Sequence, residues 1–248
     1  MTFHFQPVSS PFPSPKVTKR IAALDIETLD VGTRSHILEI GIIISEVPSL
    51  LDLDIPEIWR QVQDLGPNAL QSISTASNGL ATVVYRIPVP WQAQRDFGRT
   101  ISQSTLDFHA NFSENFEKMK AAALSLDAQY SNLDQLQASI LPVHKCLDTV
   151  RSALAGAKEI WINGLSFDPC IIKSLAEDSS YIPKLWDFRA ERDVRTIYQE
   201  FEVDPDVTPY PSHVALNDCV RNLATVREMA RLAATGQLRV RQVPLAKP

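Results

Sequence analysis

The sequence predicts a layered α/β or α+β domain built on a central sheet, and three observations carry that expectation. Two short apolar runs, at 21–27 and 37–44, flank the break at 30–35. From Leu133 onward, apolar stripes at helical spacing alternate with short strand-like runs, the pattern of helices laid on a sheet. No Gly-rich phosphate loop follows any strand, and Gly164 stands alone, which removes most nucleotide-cofactor folds.

Taken in order, residues 1–19 are a Pro- and Ser-rich arm without periodicity. One domain is expected over 20–236, with an insertion at about 47–130, and a basic tail over 237–248. The run 21–27 buries both faces except at its C-terminal acids, and 37–44 is a second strand. Residues 80–89 read as a strand that Pro88 and Pro90 place at a sheet edge. Thr100 or Ser102 caps a weakly helical stretch containing Phe108, His109 and Phe112. Leu133, Leu136, Ile140, Val143, Leu147, Val150 and Leu154 are spaced 3-4-3-4-3-4, an amphipathic stripe. Pro142 either kinks one helix or separates two, and a proline inside so short a repeat favours core packing over a coiled coil. A strand at 159–163, a turn at Gly164 and a helix at 167–177 follow. Then come a short strand at 184–188, a helix at 193–201 and a Pro-rich loop at 205–211. A last helix over 214–235 places Leu216, Cys219, Leu223, Val226 and Ala230 on one face and ends at Gly236.

With 248 residues the chain is long enough for one sizeable core. Its 24 basic and 29 acidic residues give a net charge of −5, which argues against a passive nucleic-acid coat protein. An enzyme whose acids are neutralised locally by cations is still compatible with that charge. Cys146, Cys170 and Cys219 are odd in number and lack metal-ligand spacing. They argue against structural zinc, fit a reducing compartment, and leave Cys170 and Cys219 as small buried residues on helices. No run reaches the roughly 18 apolar residues of a membrane helix, and residues 1–19 lack a secretory signal's apolar core. The expectation is a cytoplasmic protein that is neither secreted nor membrane-bound.

The chemistry-bearing residues form a set. Asp25 and Glu27 lie two apart on the first strand, so both carboxylates leave one face. Like charges at the end of a buried strand are costly unless a cation sits between them; taken alone, the pair more often marks a strand end in solvent. Asp168 falls in the first turn of a helix, after a strand and a glycine turn. That position favours an anion and lies where α/β sites collect, although alone Asp168 is as readily a cap. His213 precedes the last helix, and Asp218 lies on it among Leu216, Cys219 and Leu223, where a carboxylate is costly without a partner. Together these are hard oxygen ligands with no cysteine or histidine cluster, which select Mg²⁺ or Mn²⁺ over zinc. Two such ions about 3.5–4 Å apart clamp a phosphodiester. A histidine with an unperturbed pKa of about 6.5 takes a proton from the attacking water at neutral pH.

These residues also carry a resemblance. Leu24-Asp25-Ile26-Glu27-Thr28, Asn163-Gly164-Leu165-Ser166-Phe167-Asp168 and His213-Val214-Ala215-Leu216-Asn217-Asp218 resemble, in order, the three motifs of the DnaQ-like exonucleases of the DEDD superfamily. The histidine five residues before the last aspartate places the resemblance in the DEDDh subgroup. Gly98-Arg99-Thr100-Ile101-Ser102, continuing to Thr105-Leu106-Asp107-Phe108-His109, and Arg192-Asp193-Val194-Arg195-Thr196 are similar to the branch of phage exonuclease A and the RNase AS exoribonucleases. The resemblance implies an RNase H-like fold: a mixed sheet, its first strands antiparallel, flanked by helices. It implies two cations, Mg²⁺ or Mn²⁺, held by Asp25, Glu27, Asp168 and Asp218, with His213 as general base. It further implies release of nucleoside monophosphates from the 3′ end of single-stranded DNA or RNA, a homodimer, and a bacterial or phage-infected host cell. The chain departs from many members at Leu29 and Asp30, where they carry glycine, and over 47–79, which matches none of the motifs.

Substrate contacts are expected from Thr28, Leu29, Asn163, Ser166, Phe167, Phe108 and His109. Thr28, Asn163 and Ser166 are the candidates to read a 2′-OH, and Phe108 and Phe167 to stack on bases, with core packing an equal reading of Phe167. Arg192 and Arg195, three apart, share a helix face and either guide the phosphate backbone or form surface salt bridges. The alternative from another class, a non-catalytic nucleic-acid-binding module, would have to retain carboxylates that repel phosphate when no metal is present.

Overall fold

The computed structural model describes residues 18–65, 71–75, 81–111, 113–203 and 213–241. Most of the arm and tail, the loop at 205–211 and Phe112 lie outside the described residues. Six strands form one mixed sheet: β1 (Lys19–Thr28), β2 (Ile37–Val47), β3 (Gln71–Thr75), β4 (Ala81–Pro88), β5 (Glu159–Ile162) and β6 (Glu191–Asp193), in the order β3-β4-β2-β1-β5-β6. β1 to β4 pair antiparallel, whereas β5 joins β1, and β6 joins β5, in parallel. The helices are α1 (Ile55–Asp64), α2 (Trp91–Asp96), α3 (Gln103–Ala110), α4 (Ser113–Gln129), α5 (Gln135–Leu154), α6 (Asp168–Asp178), α7 (Val194–Glu200) and α8 (Ala215–Ala234). The stretch read as an insertion holds α1 to α4 with β3 and β4.

The period of two along β1 divides the interior. Ala22, Leu24 and Ile26 enter a core shared with Val143, Leu147 and Val150 of α5 and Ile171 and Leu175 of α6. Ile21 and Ala23 enter a second core with Leu216, Cys219, Val220 and Leu223 of α8. Asp25 and Glu27 continue that second series, so the alternation itself aims both acids towards α8. The fold is thus the DnaQ-like, RNase H-like architecture, with helices on both faces of a mixed sheet.

Several local expectations need correction. β4 is not an edge strand, because β3 pairs outside it. Pro88 stands opposite Glu39 of β2, and it is the next residue, Val89, whose N–H reaches the Leu38 carbonyl at 3.2 Å, so the missing proline N–H is not one that the β2 pairing uses. Of the two readings of Pro142, the one-helix reading holds, since α5 runs through it. Its buried face includes Ser139, Pro142 and Cys146 as well as Val143, Leu147 and Val150, while Leu136, at its first turn, is 68% exposed. Residues 184–188 are not a strand; Leu185 and Trp186 are buried there as core plugs, and the Trp186 indole donates to Glu191 at 2.7 Å. Cys219 is buried as expected, but Cys170 is only half-buried. Among the described residues, no helix is long and apolar enough to cross a membrane.

Candidate active site

Carboxylate oxygens of Asp25, Glu27 and Asp218 lie within 4.8 Å of one another. The first two come from the C-terminal end of β1 and the third from the first turn of α8. Asp218 is held from two sides. It accepts the backbone N–H of His213 at 3.0 Å and forms an ion pair with Arg221, one turn on. His213 adopts φ +64°, a left-handed conformation that a non-glycine residue keeps only when its surroundings compel it. With its N–H committed to Asp218, its ring meets the edge of Phe108, 4.6 Å between centroids.

Asp168 opens α6 after Gly164, whose φ of +105° makes the turn. It is 4% exposed, and its Oδ2 is buried without a hydrogen-bond partner. It stands outside the close trio, yet its negative charge acts on Asp25 and Glu27. Glu39 on β2 was not anticipated. It is the cross-strand partner of Glu27, is buried, and has Oε1 unpaired, with Arg86 3.4 Å from its other oxygen. No linear spacing signals Glu39, since only the β1–β2 register brings it in. Arg221, by contrast, was readable as the i+3 neighbour of Asp218.

The electrostatics have one sign. Burial, then the charges of Asp168, Asp218 and Glu27, push the Asp25 carboxyl well above its ordinary range, against the pull of Arg221. Burial, then Asp218, Glu39 and Asp168, do the same to Glu27. Burial raises Asp168 to about 8 although Arg195 opposes it, and raises Asp218 despite Arg221. Left to itself such a cluster keeps protons, which is what a site built for added positive charge looks like. All donors are carboxylate oxygens, as Mg²⁺ and Mn²⁺ require. Among the described residues no cysteine sulfur joins the trio, and the nearby Cys219 thiol, pushed far up by burial, is engaged with the Gly41 carbonyl. The trio can coordinate one divalent cation, and the unpaired Asp168 oxygen is consistent with a wider site.

Over residues 20–230 the sequence matches the family described as the 3′-5′ exoribonuclease Rv2179c-like domain. The chain belongs to this family. No curated protein matches it. Membership makes this Rv2179c-like domain a hydrolase of the exonuclease class that binds nucleic acid.

Beside the acids of this Rv2179c-like domain lies a cleft of about 290 Å³ lined by Glu27, Thr28, Phe108, His109 and Phe167, among others. Four of the expected substrate residues therefore share one wall. Phe108 is substantially exposed. His109 is buried, with Nε2 2.9 Å from the Thr28 carbonyl oxygen, and shapes the cleft from behind. The Thr28 hydroxyl donates to the Asp30 carbonyl at 2.9 Å, while the Ser166 side chain is exposed. Leu29 does not fit its expected role: it is fully buried against Leu38 and Met119, so its side chain offers nothing to a substrate. The Asn163 amide oxygen accepts from the Tyr198 hydroxyl. The two arginines do not share a helix face, because Arg192 lies on β6 and Arg195 on α7. Arg192 turns back onto the carbonyls of Arg189 and Glu191, both at 2.7 Å. Arg195 reaches the Asn163 carbonyl at 3.2 Å and acts electrostatically on Asp168.

Proposed function

We propose that the chain is a divalent-cation-dependent exonuclease that removes nucleoside monophosphates from the 3′ end of single-stranded RNA. The observation that carries this is the convergence of Asp25, Glu27 and Asp218 within 4.8 Å, beside an unpaired oxygen of Asp168 and a cleft of about 290 Å³ that Glu27 also lines. Asp25, Glu27, Asp168 and Asp218 are the residues to hold two Mg²⁺ or Mn²⁺ ions. When bound, such ions supply an activated water and stabilise charge on the departing 3′ oxygen.

The chain's own groups account for the rest. His213, whose pKa is lowered chiefly by burial, is a neutral imidazole at pH 7 and takes the proton of the attacking water. Phe108 and Phe167 hold the terminal base, each stack contributing about 1–3 kcal/mol. The Thr28 hydroxyl, from the cleft wall, and the exposed Ser166 hydroxyl are the candidates to read a 2′-OH, and Arg195 meets the phosphate next to Asp168. RNA is favoured because the matched family is described as an exoribonuclease domain. The strings at 98–109 and 192–196 support the phage exonuclease A and RNase AS branch, for which a homodimer is the expected state.

The test is digestion in Mg²⁺ of 3′-labelled and 5′-labelled single strands of RNA and DNA of one sequence. Labelled mononucleotide should appear at once from the 3′ label, faster from RNA, and not at all in EDTA. Immediate release from the 5′ label, or full activity in EDTA, would overturn the proposal.

A further inference from the structure

The acid cluster has two halves on different elements, and something must fix the gap between them. We propose that Gly41 does so, as a positioning residue; this rests on the cation-site reading above. Gly41 is the β2 partner of Asp25 in the β1–β2 ladder. A β-carbon added to it would lie 2.7 Å from the carbonyl carbon of Ala215, 2.8 Å from the amide nitrogen of Leu216 and 3.0 Å from the Ala215 side chain. Carbon atoms rest at about 3.5–4.0 Å from one another. The two closest atoms are main chain in the first turn of α8, so no side-chain rotation relieves the clash, and the turn itself must lift.

What lifts with it is the other half of the site. The His213 N–H is bound to Asp218 at 3.0 Å, so the candidate base and the α8 carboxylate move as one unit. Cys219 closes the contact from the helix side, its thiol donating to the Gly41 carbonyl at 3.3 Å. Glycine at 41 thus lets the start of α8 rest on the sheet directly over Asp25, which brings the Asp218 carboxylate within 4.8 Å of those of Asp25 and Glu27. Any side chain there separates the β1 acids from Asp218 and His213 without touching a single ligand.

Gly41→Ala is the test, with Ile43→Val as a stability control, two residues along the same strand and facing the same core. Mn²⁺ affinity is measured by calorimetry at a temperature where both variants are folded by circular dichroism, alongside kcat and KM on single-stranded RNA. Gly41→Ala should weaken Mn²⁺ binding at least about tenfold and lower kcat by about 10²-fold, the usual cost of a displacement near 1 Å, with KM little changed. Ile43→Val should keep wild-type Mn²⁺ affinity. If Gly41→Ala does not fold, Cys219→Val, which presses on the Gly41 carbonyl from α8, is read in the same way. Wild-type Mn²⁺ affinity in the folded variant overturns the role of Gly41. Absence of Mn²⁺ binding by the wild-type protein instead overturns the cation-site reading on which that role rests.

Discussion

A carboxyl group surrounded by three others keeps its proton, and Asp25 is in that position. Asp25→Asn relieves the crowding of carboxyls that burial and one another's charges push upward, so the fold should survive, judged by an unchanged circular dichroism spectrum. Hydrolysis should fall by about 10³-fold or more, because an amide cannot balance a divalent cation; wild-type turnover would remove Asp25 from the site. His213 makes a different prediction. Its pKa is lowered by burial, with Asp218 opposing, and a general base works only when neutral. The acid limb of kcat should thus lie below the ordinary 6.5 of histidine, lower than the sequence alone suggested. His213→Ala should reduce kcat by about 10²–10⁴ while Mn²⁺ affinity holds; loss of Mn²⁺ binding would make His213 a ligand instead. The Asp-x-Glu pair, Asp168 and the His213–Asp218 spacing were readable because each lies within a few residues on one element. Glu39 and Gly41 were not, because strand register and helix docking place them.

Elements are tied to one another by Arg99, part of a string that the sequence offered only as a family likeness. Its guanidinium is fully buried. It binds Asp178 at 2.7 Å and the Ile171 carbonyl at 3.2 Å on α6, and the Ser35 carbonyl at 2.9 Å in the turn before β2. Arg99→Ala leaves those acceptors buried and short of a donor, so urea unfolding should show a loss of about 3 kcal/mol. A loss under 1 kcal/mol would mean that water replaces the guanidinium. Ser102 caps α3 through the Thr105 N–H at 3.2 Å, and α3 carries Phe108 to the cleft. Ser102→Ala should cost about 1 kcal/mol and raise KM with kcat unchanged; an unmoved KM would detach Phe108 from substrate binding. The helices α5 and α8 were legible from their 3.6-residue stripes, whereas α1, α2 and α4 lie in the stretch read only as an insertion. The Leu185–Trp186 segment was misread because a short apolar run fits a strand and a core plug equally well.

On the scale of the whole molecule, the sheet gathers acids that the unfolded chain keeps apart, so stability must depend on pH and on cations together. Asp168 titrates at about 8 in the fold against an ordinary 3.8, and burial raises Asp25, Glu27, Glu39 and Asp218 as well. A carboxyl whose pKa is raised binds more protons folded than unfolded. Its contribution is therefore best at low pH and is lost as pH rises from 3.8 towards 8. His36 acts in the opposite sense. Buried with both ring nitrogens unpartnered and lowered to about 4, it favours the unfolded state as pH falls from 6.5 towards 4. Between pH 6.5 and 8 the unfolded His36 sheds the rest of its charge, so its opposing slope fades and the raised acids, more numerous, chiefly set the slope. The apo protein in EDTA should melt at progressively lower temperature across that window. A divalent cation binds the deprotonated cluster and only in the folded chain, so excess Mn²⁺ should raise Tm most at pH 8 and least at pH 6.5. Scanning calorimetry at three pH values, with EDTA and with Mn²⁺, measures both effects. A Tm that rises with pH in EDTA, together with a Mn²⁺ shift that does not grow, would mean that the four carboxylates do not act as one site.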